Sequence, residues 1–233
     1  ELKALAKATS KQRFAEASDR QLQALFEMKG WTFQGSLAPA RASIEEGAFE
    51  ESASGRWSAG EGGAELYAAL VARGRQANDE LARKASRLAA RAAVASLAFV
   101  ATDENGTVAA DMLQGERGPP IFHQRACALP GFLARTRWGH MPQAVHDPDS
   151  VKTIARDLVE TCVQRALQTK TGLAPSLDQA TGRVGDLRPE TASSLFFMRR
   201  VTQDPYYANL GYDLFRKLNA SSRIQGGAFA TID

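Results

Sequence analysis

Two stretches at opposite ends of the chain are built to one plan. "ELKALAKATSKQRFAEASDRQLQAL" opens the sequence and "SSLFFMRRVTQDPYYANLGYDLFRKL" lies near its end. Each runs from an apolar-periodic segment through a threonine (Thr9, Thr202) to an aromatic residue five places on (Phe14, Tyr207), then an alanine and a second apolar-periodic segment. A repeated helix hairpin cannot bury its apolar face alone, so it must stack against further hairpins. Helical spacing continues between the two: Leu66, Leu70, Leu81, Leu88 and Leu97, then Ile154, Leu158 and Val159, then the run from Leu195 to Val201, in which Phe196, Phe197 and Met198 read as core. Few runs alternate as strands do. The pattern predicts an all-α chain whose hairpins either stack as a straight solenoid or close into an α/α toroid, with its loops converging on one end.

A second repeat lies in the loops. "GSLAPARAS" and "TGLAPSLDQ" share Leu-Ala-Pro, and each leads into a polar loop ending in a carboxylate that opens a new helix, Glu61 in the first case and Glu190 in the second. Acids therefore recur at one type of position, the loop-to-helix junction.

The chain has 233 residues, 44% of them hydrophobic and 24% charged, enough to bury the core of one or two domains. A net charge of +3, with the arginines and lysines dispersed among acids, argues against a nucleic-acid partner. The longest apolar stretch, "LAARAAVASLAFVA", is interrupted by Arg91 and too short to span a bilayer, and no signal peptide or anchor is visible. Because it opens on Glu1 within a helical pattern, the sequence reads as a segment of something longer. The two cysteines, Cys127 and Cys162, are compatible with buried thiols or with one bridge. His123, His140 and His146 are scattered without zinc-ligand spacing.

Two constellations carry possible chemistry. In "GDLRPETASSLFFMRR", Pro189 suits a first helical position and keeps Arg188 just outside the helix. Glu190 then occupies the first turn, where free N–H groups and the helix dipole favour negative charge. In "SAGEGGAELYAAL", Glu61 and Glu65 stand one turn apart on one face, a like-charge pairing that costs a few tenths of a kcal/mol on an isolated helix. Each acid is also accounted for as ordinary helix-start chemistry, and Glu1 as a surface residue. Taken together, the junction carboxylates point to one shared pocket. Two carboxylates with room for a water between them are what inverting glycoside hydrolysis requires, one protonating the leaving oxygen and one activating water.

"DLRPETASSLFFMRRVTQDPYY", followed by "GGAFATID", resembles the L-R-P-E-T segment of class I α-1,2-mannosidases, glycoside hydrolase family 47. "ACALPG", followed by "LVETCVQRALQTKTGLAP", is similar to that family's cysteine-bearing segments. The resemblance implies a partial (α/α)7 barrel, with residues 1–233 part of a single catalytic domain truncated at both ends. It also implies calcium-dependent, inverting removal of α-1,2-linked mannose from high-mannose N-glycans in the endoplasmic reticulum or Golgi lumen. By position, Glu190 matches the general base and Arg188 its neighbouring substrate contact. Glu61 matches an aspartate of the catalytic acidic cluster, Glu65 and Glu1 match substrate-side glutamates, and Cys127 and Cys162 match the family disulfide. The family's general-acid motif is expected before Glu1, and its calcium-binding threonine after Asp233. Ser193 stands where the family has a second glutamate, and His123 is one place off its histidine. Two other readings remain: a catalytically impaired homologue serving as a glycan-binding or degradation-targeting module, and a helical-repeat interaction module without sugar chemistry.

Overall fold

The computed structural model describes residues 8–28, 37, 42–43, 45–46, 48–49, 56–57, 63–76, 78–110, 112–113, 116–120, 122–136, 148–174 and 187–229. Helices dominate: α1 (Gln12–Glu27), α2 (Gly63–Gln76), α3 (Glu80–Leu97), α4 (Leu129–Arg135), α5 (Pro148–Gln168), α6 (Glu190–Thr202) and α7 (Tyr206–Ser221).

Local chemistry sets the helix ends. Asp79 caps α3 by accepting the Ala82 N–H at 2.7 Å. Ahead of α7, Asp204 turns the chain by accepting the Tyr206 N–H two residues on, at 2.9 Å. The hairpin repeat is visible in the backbone as well. Among the described residues, the non-glycine positions with positive φ are Ser10 (54°) and Gln203 (61°), and each directly follows the repeated threonine. Both hairpins thus turn at the same place. The Leu-Ala-Pro repeat also holds in part, since Leu37 and Leu173 are both buried.

Side-chain contacts fix the helix directions. The Tyr67 and Phe132 rings lie 5.4 Å apart, and Arg75 Nη2 donates to the Arg135 carbonyl at 2.6 Å, so α2 and α4 run parallel. The Gly131 N–H meets Ser194, and the Arg135 guanidinium stacks 3.6 Å from the Phe197 ring, so α4 and α6 are parallel too. Helices α3, α5 and α7 run the other way along them: Cys162, late in α5, meets Cys127 just before α4, and Tyr206 at the start of α7 bonds Glu160 of α5. One parallel set backed by an antiparallel set is the arrangement of an α/α barrel wall. The core between the layers is built from Tyr67, Leu70, Phe132, Leu133, Val159 and Met198.

One expectation is corrected. Phe196 is 55% exposed rather than core, because at helical steps the buried face of α6 falls on Glu190, Thr191, Ser194, Leu195 and Met198. Short antiparallel strands also appear: β1 (Ala42–Ser43) with β2 (Ala48–Phe49), β3 (Arg56–Trp57) with β6 (Met112–Leu113), β6 with β7 (Glu116–Arg117), and a hairpin of β4 (Val100–Asp103) and β5 (Gly106–Ala109). Glu104 and Asn105 form its two-residue turn, and Gly106, at φ 130°, follows them as the first residue of β5. The hairpin leans on α5 through an Arg165–Asp103 ion pair and the bond from Thr107 N–H to Thr161 Oγ1 at 3.0 Å.

Candidate functional site

Parallel α2, α4 and α6 bring their first turns to one end of the wall. Glu190 opens α6 there. Pro189 (φ −82°, ψ −5°) precedes it, and the Pro189 carbonyl accepts the Ser193 N–H at 2.8 Å, closing the first turn. Pro189 thus leads into the helix and leaves Arg188 outside it, as its fixed φ requires. Arg188 Nη1 lies 3.8 Å from Glu190 Oε1, an ion pair too long for a hydrogen bond. The Glu190 residue is 5% exposed, whereas the Arg188 side chain keeps about a quarter of its surface, 26%. A carboxylate in this setting has a helix N-terminus behind it and a cation beside it, both favouring its negative charge.

The layer beneath Glu190 is pinned. Ser194, one turn further along the same face of α6, accepts the Gly131 N–H at 3.0 Å and donates to the Cys127 carbonyl at 2.5 Å. Cys127 and Cys162 form a disulfide with a Cα separation of 5.9 Å, tying the 3-10 turn Gln124–Ala128 to α5. That pairing, open on spacing alone and implied by the family resemblance, is present.

The other proposed site residues divide. Glu65 falls in the first turn of α2, and so at the same end of the wall as Glu190. Glu61 and Glu1 lie outside the described residues. Ser193 is exposed on α6. His123, which the resemblance sets one place off the family's histidine, and Gln124, which sequence reasoning passed over, are buried at the start of the 3-10 turn that packs on α6. Their signal was a polar run, His123 to Arg125, set between Phe122 and Ala126, both apolar and buried.

Among the described residues, no three His, Cys, Asp or Glu side chains come together in a group that could hold a metal ion. No helix of the described residues is long and apolar enough to cross a membrane.

The sequence pattern of glycosyl hydrolase family 47 matches residues 1–233. The chain is 32% identical over 122 residues to the endoplasmic reticulum mannosyl-oligosaccharide 1,2-alpha-mannosidase of Rattus norvegicus, covering 46% of this chain and 18% of that protein. It is 29% identical over 156 residues to the mannosyl-oligosaccharide 1,2-alpha-mannosidase MNS3 of Arabidopsis thaliana, covering 52% and 25% respectively. In three dimensions it is similar to the alpha-1,2-mannosidase from Trichoderma reesei, with a TM-score of 0.70 at 16% identity over 98% of this chain and 51% of that one. The matched regions make up a quarter or less of these two curated relatives' length.

Proposed function

Because the chain belongs to glycosyl hydrolase family 47, we propose that residues 1–233 are part of a single catalytic domain that removes terminal α-1,2-linked mannose from high-mannose N-glycans with inversion. The observation that carries this reading is the buried Glu190 carboxylate, 3.8 Å from Arg188, at the end of a wall similar in fold to an (α/α)7 mannosidase barrel.

In this reading Glu190 is the general base. It takes a proton from a water whose oxygen attacks the anomeric carbon. The glycosidic C–O bond breaks, and a second carboxylic acid, expected outside this chain, protonates the leaving oxygen. Arg188 donates to the sugar from the rim. Glu61 joins Glu190 in holding the reacting water, while Glu65 and Glu1 accept from sugar hydroxyls. A first-turn position suits Glu190 to this work, because its charge is held in place before substrate arrives.

The resemblance also implies calcium, whose ligands the described residues do not assemble. Relatives named for the endoplasmic reticulum support a secretory-pathway location, in the reticulum or the Golgi lumen, and the Cys127–Cys162 bridge suits an oxidising compartment.

The test is mannose release by the parent protein and its Glu190→Gln variant. The variant is expected to keep its unfolding midpoint while turnover falls by about two orders of magnitude or more. Equal rates would return Glu190 to a purely helix-stabilising role and overturn the proposal. The 233-residue chain alone is expected to hydrolyse nothing, lacking the second carboxylic acid.

A further inference from the structure

The tip of the β4–β5 hairpin reads Asn105-Gly106-Thr107, an asparagine followed by a residue other than proline and then a threonine, which is the acceptor pattern for N-linked glycans. Three residues of sequence carry little weight alone, and what the fold adds is access. The hairpin register pairs Asp103 with Gly106, so Glu104 and Asn105 form the turn, and both are exposed.

The turn is held from its inner side. Asp103 Oδ1 accepts the Asn105 backbone N–H at 2.8 Å, and Asp103 Oδ2 pairs with Arg165 of α5. Both members of that ion pair are largely buried, and the Thr107 N–H reaches Thr161 Oγ1 of α5 at 3.0 Å. The backbone on each side of Asn105 is thereby tied to α5. The Asn105 side chain takes no share in this, since its amide donates at 3.3 Å to Glu104 Oε1, an exposed neighbour. A group added to that amide displaces one surface contact and leaves the anchors of the hairpin in place. Asn219-Ala220-Ser221 has the same pattern in a less open setting. It lies in the last turn of α7, where Asn219 is partly buried and Ser221 Oγ donates to the Thr171 carbonyl.

We propose that Asn105 carries an N-linked oligosaccharide. In the transfer, Asn105 Nδ2 attacks the anomeric carbon of the first sugar of a polyprenyl-diphosphate-linked oligosaccharide. A C–N bond forms and the C–O bond to the diphosphate breaks. Polyprenyl diphosphate leaves with the electron pair, and the amide gives up one proton to a base of the transferring enzyme. That donor is met in the secretory lumen, so the proposal rests on the secretory-pathway reading above. A glycan at this turn also suits the fold. Among the described residues β4 and β5 pair only with each other, and a bulky solvated group at their turn hinders edge-to-edge pairing with another chain.

The test expresses the parent protein in cultured eukaryotic cells in two forms, one with its own sequence and one with an added cleavable secretion leader and a reporter acceptor tripeptide. Modified asparagines are mapped by mass spectrometry after peptide N-glycosidase digestion in heavy-oxygen water, which converts each into a labelled aspartate. The expected result is a label at Asn105 in both forms. Asn105→Gln and Thr107→Ala are each expected to lose the mass of one glycan on denaturing gels, whereas Thr107→Ser keeps it. Because the readout follows denaturation, a folding defect in a variant does not mask it. A label found only in the leader-bearing form would sustain Asn105 as the acceptor and overturn the secretory-pathway reading instead. An unlabelled Asn105 in molecules whose reporter tripeptide is labelled, or a label on Asn219 in place of Asn105, would overturn the proposal.

Discussion

Ser194 on α6 completes the first turn of α4, accepting the N–H of Gly131 at 3.0 Å. A first-turn N–H has no partner within its own helix, so here one helix caps another. The fit is close: a Cβ at Gly131 would stand 2.9 Å from the Ser194 Cα. Ser194→Ala leaves the buried Gly131 N–H and Cys127 carbonyl short of a partner, and denaturant unfolding should show a loss of about 2 kcal/mol or more. Gly131→Ala should cost about 1–3 kcal/mol through overpacking. Because the clash is with the Ser194 Cα as well as with its Oγ, each 2.9 Å away, Ser194→Ala should not fully rescue it. Full rescue in the double variant would place the whole conflict in the serine side chain instead.

Cys127 and Cys162 close a loop across 35 positions between the 3-10 turn and α5. In the chain-entropy picture a loop of that size contributes roughly 3–4 kcal/mol. Reduction, or a Cys127→Ala/Cys162→Ala double variant, should lower the urea midpoint accordingly. Since the Cys127 carbonyl also receives Ser194, loosening should reach the first turn of α6, read as faster amide exchange at Thr191 to Leu195. Unchanged exchange there would separate the bridge from the Glu190 turn.

Gly106 combines positive φ with close approach. Its φ is 130°, and an added Cβ would stand 2.5 Å from Thr161 Oγ1, the atom that accepts the Thr107 N–H. Gly106→Ala should therefore strain the β4–β5 turn and push the hairpin off α5 together. The expected loss is about 1–3 kcal/mol in chemical unfolding. Thr161→Ala should open space at Gly106 and reduce that loss only in part, because the backbone strain remains.

Tyr206 donates to Glu160 at 2.9 Å, and burial, then this hydrogen bond to the carboxylate, raises its pKa above the usual tyrosine value. The protonated phenol is favoured in the folded state. Its contribution is therefore complete below the unfolded tyrosine pKa of about 10 and is lost as pH rises through the higher folded value. Tyr206→Phe should be less stable than the parent near neutral pH, and the gap should narrow in alkali. A gap that is constant from neutral pH into that range would mean the phenol proton is not linked to folding.

The sequence by itself determined the helical class, the repeated hairpin and the helix start at Pro189-Glu190. Those depend on signals that act within a few residues: the 3.6-residue period, the fixed φ of proline and capping at the first turn. The turn after Thr9 and after Thr202 is legible for the same reason, and it recurs in the backbone as a pair of positive φ values at Ser10 and Gln203. The β4–β5 hairpin was not read from the sequence, because four-residue strands are easily lost among helical periods.

Tertiary structure decided what stands beside what. That Ser194 lies against Gly131 across 63 positions depends on parallel packing of α4 and α6, and that the two cysteines pair depends on α5 running antiparallel to α4. It also set Phe196 outward and Met198 inward, although both belong to one apolar run, because only one face of α6 meets the layer behind it. Local propensity fixes each helix axis but not its partner. The partner is chosen by summed burial and by a few close contacts between residues far apart in the chain, which no short window of sequence contains.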